Sequence, residues 1–514
     1  MSTRSEQDSM GSLDVPADAY YGAQTERARR NFQISPLRFP RSFIRALGLI
    51  KKAAARANMD LGLLPPALGD SIARAAQAVA DGRHDDQFVV DVFQTGSGTS
   101  TNMNVNEVIA GVANEQAAGG VRGGRSPVHP NDAVNLGQSS NDVIPTAIHV
   151  AALESIRNRL VPALGHLQSL LDARAAAFDD VVKIGRTHLQ DAVPVRLGQE
   201  FSGYAAQVGH AVRRLGLCSE SLGELAIGGT ALGTGINAHP QFGPRVAALL
   251  SADTGLAFRC ASNPFEALAS RDAAVETSGV LKTVGVSLSN VANNIRWLAS
   301  GPRCGIGEIR IPELQPGSSI MPAKVNPVIP EAVMMAAAQV VGNDATVAWA
   351  NALGSNFDLN VMMPVIAYNL LQSIELLTNA ALHLADKCVE ASAFLEGTRP
   401  QGVVTIEADE SRCRESIERS LAMGTALAPR IGYDNAAAVA KRAYHEGTTV
   451  RLVAESLIGL TPDAVERKLG PPASARVLAE RGGYPNLDEL NRLLDPYRQT
   501  VRGQDAAPSS VAPG

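Results

Sequence analysis

The chain has 514 residues, more than one compact core accommodates, so its length implies several domains or one long helical body. Charged residues are 19% of the chain, below the roughly 25% of typical soluble domains, and 46 basic residues against 51 acidic ones leave a net charge of −5, which excludes the electrostatic footprint of a nucleic-acid binder and favours surface buried by oligomerisation. Cys218, Cys260, Cys304, Cys388 and Cys413 are scattered without a C-x-x-C pair, and the polar start lacks a signal core or Arg-rich presequence, so a zinc site, a disulfide framework and a membrane span are not expected and a reduced, cytoplasmic setting is.

In chain order, the first segment with chemical potential is "QTGSGTSTNMNVNE" at 94–107, which offers the hydroxyls of Ser97, Thr99 and Ser100 where a helix should begin. Backbone N–H groups at a helix start bind carboxylates, although Ser and Thr also serve there as ordinary caps. A Gly- and Asn-rich stretch, 112–138, leads into "HPNDAVNLGQSSNDVIPTA" at 129–147, with its Ser-Ser and two Asn-Asp pairs. Leu153, Ile156, Leu160, Leu164, Leu167 and Leu171 then recur at steps of three and four, which predicts a long helix within 141–175.

Further on, "KIGRTHLQDAVPV" at 183–195 sets Thr187 and His188 beside Arg186 and Asp191, unusual polar company for a histidine. Weaker helical patterns occupy 199–226 and 330–352. Leu281, Val284, Leu288, Val291, Ile295 and Leu298 form one apolar stripe in 265–300, and Ile366, Leu370, Ile374, Leu377, Ala381, Leu384 and Cys388 form another in 360–390. Sustained spacing near 3.5 predicts long helices packed side by side. Val275, Val280 and Val286 lie off the stripe, which implies bundle packing against bundle.

Between these helices "SGPRCGIGEIRIPELQP" precedes "GSSIMPAKVNP", residues 317–327, where two serines, a lysine and an asparagine sit between glycine and proline. The expected organisation is an N-terminal domain over 1–140, a central helical bundle over 141–390, a small helical C-terminal domain over 391–500 and a disordered tail over 501–514. An insertion is expected near 396–404, around "EGTRPQG".

Six blocks in order, "QTGSGTSTNMNVNE", "HPNDAVNLGQSSNDVIPTA", "KIGRTHLQDAVP", "GGTALGTGINAHP", "SGPRCGIGEI" and "GSSIMPAKVNP", resemble those of the class II fumarases of the fumarase/aspartase superfamily, over about residues 4–460. The resemblance implies an all-α, mostly helical fold of three domains whose central five-helix bundles assemble into a twenty-helix homotetramer. It further implies reversible hydration of fumarate to (S)-malate in the tricarboxylic acid cycle, with composite sites built from three subunits.

That chemistry removes a weakly acidic proton beside a carboxylate, stabilises the dianionic aci-carboxylate and expels hydroxide. By resemblance Ser318 is the base, while His188 acts with a water at the leaving-group side and Glu331 pairs with it. Ser97, Gly98, Thr99, Ser139, Ser140, Asn141, Thr187, Ser319, Lys324, Val325 and Asn326 would bind the substrate. A second, shallower carboxylate site would comprise His129, Pro130, Asn131 and Asp132, although Ser126 and Pro127 stand where fumarases often carry basic residues. No metal or organic cofactor is called for, because polar loops and one lysine cover the charge changes.

Aspartases share the 317–327 loop and eliminate ammonia, so they are the alternative. Ala323 leans their way, since many fumarases have glycine there. Ser97, Ser140, Gly229 and "GSNFDLNV" at 354–361 lean toward fumarase.

Overall fold

The computed structural model describes residues 2–117, 120, 122–391 and 403–501. The expected insertion near 396–404 lies largely outside these residues, as does the expected tail beyond 501. The described residues are predominantly helical, and their strands form five two-stranded sheets, so the fold is all-α. None of the described helices is long and apolar enough to cross a membrane.

Each apolar stripe read from the sequence is a buried helix face. Helix Asp272–Leu298 buries Leu281, Val284, Leu288, Val291 and Ile295, and helix Met363–Leu384 buries Ile366, Leu370, Ile374, Leu377 and Ala381. The single helix expected within 141–175 differs in detail. It runs as Ser140–Ser155, a π-helical turn Ile156–Leu160, and Val161–Ala177. Pro162 has no N–H to give Asn158, so the ladder opens at this point. Burial survives the widened turn, since Ile156, Leu160, Leu164, Leu167 and Leu171 are all inside.

The chain divides into two compact units, each assembled from three chain segments. The first holds Met1–Gly165, Gly209–Asn290 and Ala332–Leu382. In it helix Arg41–Asp60 packs against Pro66–Ala80, Ser140–Ser155 and Phe242–Thr254. Helix Thr99–Ala117 is buried from Ser100 to Asn114, which fixes its N-terminal end.

The second unit holds His166–Val208, Val291–Glu331 and His383–Gly514. Short helices from Glu410–Arg419 to Leu487–Leu493 close around Leu427, Ile431, Val439, Val453, Leu457, Leu478 and Leu490. A β-hairpin, Val182–Thr187 with Gln190–Arg196, packs on helix Glu410–Arg419.

Candidate active site

In the first unit the starts of two helices converge. Ser97 Oγ lies 2.8 Å from Thr99 Oγ1, which lies 2.7 Å from Ser140 Oγ. The loop leading to Thr99 is pinned from behind, because Met363 N–H donates to Gly96 O at 3.0 Å. Gly96 has to be glycine there, since a Cβ would sit 1.8 Å from the Val361 carbonyl oxygen.

Ser139 caps helix Ser140–Ser155, its Oγ accepting Asn141 N–H, while Asp142 Oδ1 accepts Ser139 N–H at 2.9 Å to complete a capping box. Asn141 Nδ2 donates to Ala231 O at 2.8 Å, which orients its amide. Ser97, Gly98, Thr99, Ser139, Ser140 and Asn141 thus form one cluster at two helix N-termini, where an anion is favoured.

Beneath this cluster lies Lys51, fully buried, whose ammonium donates to Asn102 Oδ1 at 2.8 Å, Gln138 Oε1 at 2.9 Å and Asn135 Oδ1 at 3.0 Å. Burial pulls its pKa down to about 7, and the Asp142 charge opposes that shift. Burial likewise pushes the Asp142 carboxyl up to about 7, against the N–H donors and Lys51. Neither residue was assigned a role from the sequence. Lys51 sits beside Lys52 in an alanine-rich helix, and its partners Asn102, Asn135 and Gln138 lie far along the chain, so no local signal marked it.

The expected second site is a tight turn. His129 Nδ1 accepts the N–H groups of Asn131 and Asp132 at 3.2 and 3.1 Å, within the cap of a π-helical turn Pro130–Val134. Burial first, then Arg125, holds this imidazole below its usual pKa.

In the second unit Thr187 and His188 stand at the tip of the Val182–Arg196 hairpin, exposed to solvent. His188 and Leu189 have φ of 58° and 60°, values that suit Asn-Gly and strain a branched side chain. The base of the hairpin compensates. Arg186 forms a two-pronged pair with Glu308, both N–O distances 2.9 Å, and Lys183 reaches Glu308 at 3.2 Å and Glu200 at 2.9 Å. Glu308 and Lys183 are buried, and no pattern in the sequence marks either as part of the site. Among the described residues no hydrogen bond joins the His188 and Glu331 side chains within one chain. Glu331 lies in the first turn of helix Val328–Gly354.

The 317–327 segment closes on itself. Gly317 N–H donates to Lys324 O at 2.8 Å, and Asn326 Nδ2 donates to Gly317 O at 2.5 Å. A Cβ at Gly317 would lie 2.3 Å from that Lys324 oxygen, so the closure requires glycine. Ser318 Oγ accepts N–H from Met321 at 2.9 Å and Ile320 at 3.2 Å. Ser319, Lys324 and Val325 are exposed beside it, and Ala323 is held at φ 62°.

The first unit thus gathers Ser97, Thr99, Ser139, Ser140 and Asn141 at two helix starts, and the second carries the His188 hairpin tip and the self-closed 317–327 segment. The sequence matches the lyase family over residues 11–342 and the fumarase C C-terminus over residues 424–473. It is 52% identical over 465 residues to class II fumarate hydratase of Thermosynechococcus vestitus, covering 90% of this chain and 96% of that one. Its identity to class II fumarate hydratase of Methylorubrum extorquens is 51% over 478 residues, covering 93% and 98%. Class II fumarase from Schistosoma mansoni superposes with a TM-score of 0.85 at 36% identity, covering 97% of this chain and 99% of that one.

Proposed function

Because the chain belongs to the class II fumarate hydratases of the lyase family, we propose that its active site is completed only when copies of the chain associate as a homotetramer, with three subunits contributing to each site. The enzyme is a lyase that reversibly hydrates fumarate to malate, and relatives at about half identity over nine-tenths of the chain disfavour the aspartase alternative.

In our reading Ser318 is the base that takes the proton beside the carboxylate. A serine manages this only as an alkoxide, and the two backbone N–H groups aimed at Ser318 Oγ support that state. This is the observation that carries the assignment. Lys324 and Asn326 then hold the carboxylate that becomes the aci-carboxylate, and Ser319 and Val325 line it. The second carboxylate rests on Ser97, Gly98, Thr99, Ser139, Ser140, Asn141 and Thr187, helped by two helix dipoles. His188, on its exposed hairpin tip, acts with water at the leaving hydroxyl once Glu331 of another copy reaches it.

The exposed apolar side chains of helix Val328–Gly354, Met335 and Trp349 among them, support assembly. We place the enzyme in the cytoplasm and in the tricarboxylic acid cycle, and assign His129, Pro130, Asn131 and Asp132 to an accessory carboxylate site outside the chemistry. The scheme needs no metal or organic cofactor, so activity should survive a chelator. The deciding assay follows fumarate absorbance with malate and then with aspartate. Turnover of malate is expected, and turnover of aspartate alone would overturn the reading.

A further inference from the structure

The block "GGTALGTGINAHP" received no role from the sequence, yet it bonds directly to the hydroxyl cluster. Asp142 Oδ2 accepts the N–H groups of Gly228 and Thr230, both at 3.0 Å, while its other oxygen holds Ser139 N–H. The next residue, Ala231, supplies the carbonyl that orients Asn141. A fully buried carboxylate therefore ties the 228–231 turn to the loop 139–141.

Thr230 is out of place in two independent respects. Its φ is 55°, the left-handed region that a β-branched residue avoids. The residue is 4% exposed, and its Oγ1 has no hydrogen-bond partner among the described residues. A buried, unsatisfied hydroxyl destabilises the fold, and glycine or alanine would serve the turn at lower strain. Strain and an orphaned polar atom at one residue, beside a cluster built for a carboxylate, indicate a group kept for a ligand.

We propose that Thr230 is a further substrate-binding residue, whose hydroxyl donates to the carboxylate held by Ser140 and Asn141. The proposal rests on the fumarate hydratase reading. Asp142 and the left-handed turn are then the devices that deliver this hydroxyl and the Asn141 amide to the same anion.

The test compares Thr230→Ser with Thr230→Ala in the full-length assembled enzyme, because both lose the methyl group and only one loses the hydroxyl. Affinity for succinate, a non-reacting dicarboxylate, is read by calorimetry, and KM and kcat for fumarate are read alongside. A hydrogen bond to a carboxylate predicts that the alanine variant binds succinate on the order of tenfold more weakly than the serine variant. KM should rise in step, with kcat changing much less. Equal succinate affinity and KM in the two variants would overturn the proposal, leaving a hydroxyl satisfied by water. If wild-type protein bound succinate but did not hydrate fumarate, the functional reading would fail while the binding comparison still decided the role of Thr230.

Discussion

The backbone N–H of Met321 donates to Ser318 Oγ at 2.9 Å, so the serine that opens the 317–327 loop is also the acceptor that shapes it. An oxygen already receiving two N–H donors bears negative charge more readily than a free hydroxyl does. Ser318→Ala removes the proposed base and leaves the Gly317–Lys324 closure in place. We expect kcat to fall by roughly a hundredfold or more, with an unchanged oligomer by sedimentation and a melting temperature close to wild type. Near-normal kcat would take Ser318 out of the base role.

Lys51 predicts a pH dependence of stability. Its folded pKa, lowered by burial to about 7, lies below the ordinary 10.5, so between these values the unfolded chain binds the proton more readily. Stability attributable to Lys51 is therefore greatest above pH 10.5 and declines as pH falls toward 7. Lys51→Met removes this slope and takes the ammonium donor from Asn102 Oδ1 and Gln138 Oε1, while Asn135 Oδ1 keeps the amide donors of Asn102 and Asn106. Relative to wild type, the variant should lose stability from pH 7 to pH 9. Denaturant titrations of both proteins at the two pH values measure this, and a constant gap would show that Lys51 keeps its proton in the fold throughout.

What the sequence disclosed and what it hid follow from physical range. Helix faces and loop clusters are local patterns, so the stripe through Ile366, Leu370 and Ile374 and the hydroxyls of Ser97 and Ser140 were visible directly. The hairpin under His188 was not, because its turn carries His-Leu in place of Asn-Gly and its first strand has a register shift at Gly185. Lys51, Asp142 and Glu308 act across long sequence separations, through partners that no periodicity reveals. The roles of Ser318 and Glu331 came from family resemblance alone, since composition fits a connecting loop equally well.

Glu308 holds the hairpin from below, and its loss should be felt at the tip. The carboxylate is fully buried and balances Arg186 and Lys183 together. Glu308→Gln leaves those cations short of an anion, for which destabilisation of about 3–5 kcal/mol is expected. Because Arg186 directly precedes Thr187 and His188, kcat should fall and the pH–rate profile should shift even at temperatures where the variant stays folded. Glu308→Asp should recover part of both losses. A variant as stable as wild type would show that Glu200 alone balances the cations.

Helix Val328–Gly354 is apolar on two faces. Val333, Ala337, Val340, Val347 and Ala350 are buried, while Met335, Ala338, Gly342, Ala345 and Trp349 are exposed on the opposite side. A helix apolar all round is not a surface helix, and small residues between a Met and a Trp leave room for another helix to approach. If that face meets another copy of the chain, Trp349→Arg places a charge in the interface without touching the buried face. We expect sedimentation to show dissociated subunits, circular dichroism to show retained helix, and fumarate turnover to be lost. Dilution of wild type below the dissociation constant of its assembly should give the same inactive species. Subunits that sediment as monomers and still hydrate fumarate would refute the composite site, since one chain would then hold every group the reaction needs.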